Sequence, residues 1–251
     1  MTDGGRADRR IGILAWLAAA GVGVTWQLAT RFGVTTTLTP IDLALLRYVI
    51  PAVVLLPLLV RNGFWPTAGS PVLLPLIIVG AGLPFGLLGM AGAQFAPASH
   101  MGALLPGSMP VFVAVLSAIF LGECFTKIRL IGLGAVVSGV ACVVGGTVSG
   151  SAGSPDVLVG DLLFLLAGVF WAVYTIAYRK SGLDPWHGAA LICFWSALLV
   201  MPLWALSAEA KLAEALLPDI VMQMAAQGVL AGLMGLAAYA AAIRHLGASL
   251  G

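Results

Sequence analysis

The sequence predicts an all-α polytopic membrane protein built from inverted five-helix repeats, with eight of an expected ten transmembrane helices present. Three observations carry that reading. The chain is 61% hydrophobic and 9% charged, whereas a soluble domain carries about 25% charged residues. Its mean hydropathy of +1.07 is spread over the whole length, in apolar runs of the roughly 20 residues that cross a hydrocarbon core of about 30 Å. Finally, the residue pattern of residues 11–148 starts again after them.

Taken in order, the first run is 11–30. It follows Arg9-Arg10 and contains Ala18-Ala19-Ala20, features shared with a cleaved leader. Its length and its counterpart at 161–178 make it a first span instead, behind a cytoplasmic tail of residues 1–10. The second run, 41–60, carries Pro51 and Pro57 and ends before the turn formers Asn62-Gly63 and Pro66. Gly69-Ser70-Pro71 leads into the third run, 72–93. Its Gly82, Gly86 and Gly89 form a stripe along which helix backbones can approach. The fourth run, 100–121, holds Pro106 and Pro110 around Gly107-Ser108. Each proline frees a carbonyl and loosens the helix, which suits a bent segment lining a cavity. The fifth run, 128–148, completes a first repeat at 11–148, and residues 149–158 read as a flexible linker rich in Gly and Ser. A second repeat at 159–251 supplies runs at 159–178, 188–207 and 220–243.

The repeat is visible residue by residue. A shift of 148 sets Leu17, Trp26 and Arg31 on Leu165, Tyr174 and Arg179. A shift of 145 sets Pro40 and Pro57 on Pro185 and Pro202, and a shift of 146 sets Gly82, Gly86 and Gly89 on Gly228, Gly232 and Gly235. An odd number of spans per repeat makes the second copy enter the membrane from the opposite side, the arrangement on which many secondary transporters are built. The same register leaves the counterparts of the fourth and fifth runs beyond Gly251, so the second repeat reads as incomplete.

Orientation follows from the loop charges. Placing the N-terminus inside puts Arg6, Arg9, Arg10, Arg61, Lys127, Arg129, Arg179, Lys180 and Arg244 in the cytoplasm and only Arg31 and Lys211 outside, as the positive-inside bias requires. The predicted place is the cytoplasmic membrane.

Chemistry-bearing motifs are few. There is no Walker A and no HExxH sequence, so the chain is read as neither an enzyme nor an ATP-driven pump, and no cofactor or metal is expected. Cys124, Cys142 and Cys193 sit in separate apolar surroundings without CxxC spacing and read as small apolar residues. His100, His187 and His245 lie at span ends, where an interfacial polar role outweighs a ligand or proton relay. No basic block suggests nucleic acid.

Arg47 is the sharpest signal. It lies inside the second run, where a charge costs roughly 2.5 kcal/mol or more. The side chain either snorkels to the near interface or faces a cavity and attracts an anionic group; Asp42, five residues earlier, is the alternative partner that would neutralise it from the same end of the helix. Glu123, just after Gly122, has Lys127 four residues on, which suits a helical pair or a tie across the short loop. Trp26, Gln27, Gln94, Ser108, Tyr174 and Tyr239 join Arg47 as candidate substrate contacts. Pro106, Pro110, Glu123 and Lys127 are assigned structural roles.

The spacing of the runs, Pro110-Val111-Phe112, Gly122-Glu123, Arg47, and the segment from Ala242 to Ser249 together resemble the EamA-type family of the drug/metabolite transporter superfamily. The likeness covers the chain from about residue 11. It implies a ten-helix bundle that moves small metabolites such as amino acids or related compounds, commonly outward, by alternating access and driven by ion gradients or exchange. The expected partners are the lipid bilayer and a small-molecule substrate, with proton or ion coupling and a homodimer left open. The alternative is a non-transporting membrane subunit or an inactive fragment of such a transporter.

Overall fold

The structure is a computed structural model that describes residues 3–65, 71–149 and 154–246, with side chains from Arg10 onward. Among these residues there is no strand. Eight helical stretches are long and apolar enough to cross a membrane: Arg10–Thr36, Pro40–Asn62, Leu73–Phe95, Ala98–Leu121, Lys127–Val148, Pro155–Ser181, Pro185–Leu206 and Leu217–Leu246. The chain is therefore a multi-pass, all-α membrane protein.

Six spans are single helices: α1 (Asp3–Thr36), α2 (Pro40–Asn62), α5 (Ala98–Leu121), α6 (Lys127–Val148), α7 (Pro155–Ser181) and α8 (Pro185–Leu206). Their starts follow from local chemistry. Pro40 opens α2 behind a capping box in which Thr39 and Asp42 satisfy each other's backbone donors. Thr126 caps α6. The Asp184 carboxylate accepts from the backbone of Trp186 and His187 at the head of α8. At the other end, α5 stops where Gly122 takes up a left-handed φ of 64°, a conformation that glycine adopts without strain.

Two spans are interrupted, which the sequence reading had drawn as single runs. The third consists of α3 (Leu73–Ala81) and α4 (Leu83–Phe95). Pro84, near the start of α4, cannot donate, and the freed groups find partners on neighbours: the Leu83 amide donates to Ser196 Oγ at 3.1 Å, and the Tyr48 hydroxyl donates to the Gly82 carbonyl at 2.5 Å. A broken helix is tolerated at membrane depth when protein re-satisfies it in this way. The eighth span runs from α9 (Leu217–Gln223) through a π-helical stretch (Met224–Gly235) into α10 (Leu236–Leu246).

Packing is set by the glycines. The π-helical stretch lies against α2, and a Cβ at Gly232 would run into the Arg47 carbonyl, while one at Gly228 would lie 2.7 Å from Ile50 Cδ1. A Cβ at Gly86 would run into the Tyr48 hydroxyl. In lipid, such close backbone approach replaces the hydrophobic drive between helices. Further pairings set α2 on α8, α3 and α4 on α7, and α1 on α10. The spans α1 and α6 lie at the edge; Thr147 is the one buried residue of α6.

Some expectations are changed in detail. Residues expected in the N-terminal tail are already helical from Asp3, and residues 155–158 of the expected linker form the first turn of α7. Pro66, Gly69, Ser70, residues 150–153 of the linker and residues 247–251 lie outside the described residues.

Candidate functional site

A cavity of about 810 Å³ runs between α1, α2, α4, α5, α6, α7 and the eighth span. On α1 its wall extends from Trp16 to Gln27, and on α6 from Arg129 to Val136. Trp16 and Arg129 belong to the end of the bundle that carries the N-terminus, whereas Arg47 and Gln27 mark its deepest level. The cavity thus reaches from mid-membrane towards the N-terminal end.

Arg47 forms the polar floor of this mostly apolar space. It is 3% exposed, which excludes snorkelling to the interface. Its guanidinium carbon lies 4.7 Å from the centre of the Trp26 ring and 5.7 Å from that of Tyr48. Such cation–π contacts offset part of the cost of the charge. Yet Nε and Nη1 have no hydrogen-bond partner, and among the described residues no carboxylate pairs with Arg47.

Asp42 does not neutralise it, contrary to one sequence expectation. Its carboxylate is fully committed elsewhere: it accepts from the Thr39 amide and hydroxyl, from Trp204 Nε1 at 2.8 Å and from the amides of Lys211 and Leu212. Asp42 therefore pins the loop after α8 onto the start of α2.

An aromatic wall faces Arg47. Trp26 packs on Phe85 at 5.7 Å between ring centres, Phe85 on Trp171 at 4.6 Å, and Trp171 on Tyr239 at 5.0 Å. All four line the cavity. The Trp26 and Trp171 indole nitrogens are buried without partners, and the Tyr239 hydroxyl lies 3.2 Å from Thr175 Oγ1. Here are two buried donors and a cation, in a space with little to accept from them. Groups of this kind are normally satisfied, and an acceptor-bearing molecule entering the cavity would satisfy them.

Among the sequence candidates, Trp26, Gln27, Arg47 and Tyr239 line the cavity, as do Pro106 and Pro110. Three others do not. Gln94 is exposed at the end of α4, where its carbonyl accepts from Arg31 at 3.1 Å. Ser108 turns towards α7, where a Cβ at Gly168 would come within 2.8 Å of its hydroxyl. Tyr174 is fully buried behind Trp171. Its α-helical face is set by close contact with Gly80, where an added Cβ would lie 2.6 Å from the Tyr174 amide.

The expected Glu123–Lys127 pair is replaced by another. Because the chain leaves the helix at Gly122, Glu123 cannot pair along a helix with Lys127, and its carboxylate meets Arg179 at the end of α7. Lys180 supports the same corner, donating to the Phe120 carbonyl at 3.0 Å. Phe85, Trp171 and Arg129 were not singled out from the sequence. Trp171 carried a usable signal, since it lies one helical turn before the Tyr174 that the repeat aligns with Trp26.

Comparison with known proteins follows this geometry. A crystal structure of a protein shares the fold at a TM-score of 0.63 and 22% identity, over 96% of this chain and 79% of its own. No curated protein matches the chain. The sequence pattern of the EamA-like transporter family matches residues 10–145, more than half the chain, and the protein belongs to that family.

Proposed function

We propose that this protein is a secondary transporter that moves small carboxylate-bearing metabolites, such as amino acids or related compounds, out of the cell by alternating access. The observation that carries the reading is Arg47: a buried cation with two unpartnered N–H groups at the floor of a cavity that is mostly apolar and aromatic. A carboxylate matches the guanidinium fork bidentately, and the Trp26, Phe85, Trp171 and Tyr239 rings suit the apolar body of the same molecule. Ligand sites commonly combine such a wall with a few convergent polar groups.

The two ends of the cavity support alternating access. Beyond Gln27 the space closes, where Gln223 donates to the Ala29 carbonyl at 2.7 Å and Gln227 donates to Thr30 Oγ1 at 2.9 Å. Towards the N-terminal end its wall continues along α1 to Trp16 and along α6 to Arg129. With the N-terminus in the cytoplasm, as the loop charges favour, this conformation faces inward. Helix pairings also support the inverted repeat. The first span packs on the eighth and the third on the sixth, two contacts that exchange when the repeats exchange.

The test is equilibrium binding to the full chain in lipid nanodiscs, read by tryptophan fluorescence, with amino acids and their uncharged amides as paired probes. The acids should bind saturably and the amides should not. Arg47→Gln should weaken the acids by about 30-fold or more, since losing one partner of a buried charge pair costs about 2–5 kcal/mol. Equal binding of acid and amide would overturn the carboxylate reading.

A further inference from the structure

A second ionisable cluster lies outside the cavity, at the opposite end of the bundle from Arg129. Asp161 of α7 is fully buried. Its Oδ1 lies 2.8 Å from His100 Nδ1 of α5, and its Oδ2 accepts from the Thr147 hydroxyl of α6 at 2.8 Å. Three spans therefore meet on one carboxylate, and Thr147 is the single fully buried residue of α6. A fully buried ionisable group is costly, and in a membrane protein it invites a functional reading.

Among the described residues no cation other than His100 compensates Asp161. From α4, Gly92 and Ala96 press on Gly160, and neither α3 nor α4 carries an ionisable side chain. Arg31 of α1 is engaged with the carbonyls of Ala93 and Gln94. Asp156, in the first turn of α7, is exposed.

Both Asp161 oxygens face donors, the imidazole Nδ1–H and the threonine hydroxyl. With Nδ1–H donating to the carboxylate, Nε2 is the basic atom left over. His100 is 14% exposed at its side chain, enough contact for water at that end of the bundle to reach it. We propose that His100, Asp161 and Thr147 form a proton-binding site that latches α5, α6 and α7 together. A proton from water adds to Nε2, while Nδ1–H and the carboxylate keep their hydrogen bond. The cluster then changes from a net negative buried charge to a neutral ion pair. Loss of that proton to water restores the uncompensated charge and loosens the junction. A proton gradient acts on the helix bundle through this latch, separately from the Arg47 cavity.

Amide hydrogen exchange of the full chain in lipid nanodiscs tests the latch, compared at about pH 5.5 and about pH 8 after correction for intrinsic rates. In the wild type, residues 143–165 should be at least about fivefold better protected at the lower pH. His100→Gln keeps a donor for Asp161 but cannot titrate, and should show equal protection at both. His187→Gln alters a histidine near Gly63 at the other end and should respond like the wild type. A wild-type response in His100→Gln, or no response in the wild type, overturns the proposal. Should His100→Gln fail to fold, nitrogen NMR of the wild-type imidazole decides. A Nε2 that gains a proton between the two pH values supports the latch, and one fixed in a single state overturns it. No substrate enters either measurement, so the outcome is independent of the transport reading.

Discussion

A single side chain carries the functional argument. Arg47 is held by Trp26 and Tyr48 but lacks a counter-ion among the described residues, so without substrate it destabilises the fold it sits in. A buried uncompensated charge is worse than an apolar side chain of similar volume. Arg47→Met should therefore raise the thermal midpoint of the substrate-free protein while abolishing binding of carboxylates. A gain of about 1 kcal/mol corresponds to roughly 2–4 °C for a chain of this size. A drop in the midpoint measured by differential scanning fluorimetry would mean that Arg47 serves the fold instead. Arg47 was legible in the sequence because one charge inside an apolar run stands out whatever its partners. Its aromatic neighbours were not, since Phe85 and Trp171 look like ordinary span residues until packing brings them to one wall. The same limit explains Tyr174: the repeat aligns it with Trp26, but only packing decides which face of α7 meets the cavity. Glu123 was likewise visible as a helix-end acid, while its partner Arg179 lies 56 positions away and no local spacing points to it.

Whole elements follow from small residues at close contacts. Gly232 allows the π-helical stretch to lie on the backbone of α2 beside Arg47. Gly232→Val should cost about 1–3 kcal/mol by overpacking and lower the thermal midpoint accordingly, whereas Gly21→Val on the open face of α1, where nothing lies within 4 Å of an added Cβ, should leave it nearly unchanged. The far-end closure is a separate device. Gln223 and Gln227 bridge the eighth span to α1 through Ala29 and Thr30. Replacing both with Leu should weaken that closure. A cysteine at Gln27 should then react faster with a membrane-impermeant thiol reagent added at the far side, by about tenfold if roughly 1.4 kcal/mol of closure is lost. Unchanged labelling would assign those glutamines to packing alone. The run lengths predicted all eight spans, yet not the break in the third or the π-helical stretch in the eighth. Gly82-Leu83-Pro84 is a local breaker signal, but whether it ends a helix depends on Ser196 and Tyr48 taking up the freed backbone groups.

For the whole molecule, the sequence told more than for any one site. Composition and run length established the membrane bundle, because crossing lipid forces every backbone group into helix. The repeat supplied an expectation of inverted halves, on which the proposed alternating access rests. What it could not supply is the cavity's shape, which depends on how far side chains from seven spans fall short of filling the centre. The central claim is that this bundle carries small carboxylates across a membrane by way of Arg47. Its most direct test is flux of radiolabelled amino acids through the full chain in proteoliposomes, with Arg47→Gln reconstituted alongside. The account expects saturable flux above protein-free vesicles for at least one acid, lost in the variant. Flux in the variant equal to that of the wild type, or no flux for any acid tested, would contradict it.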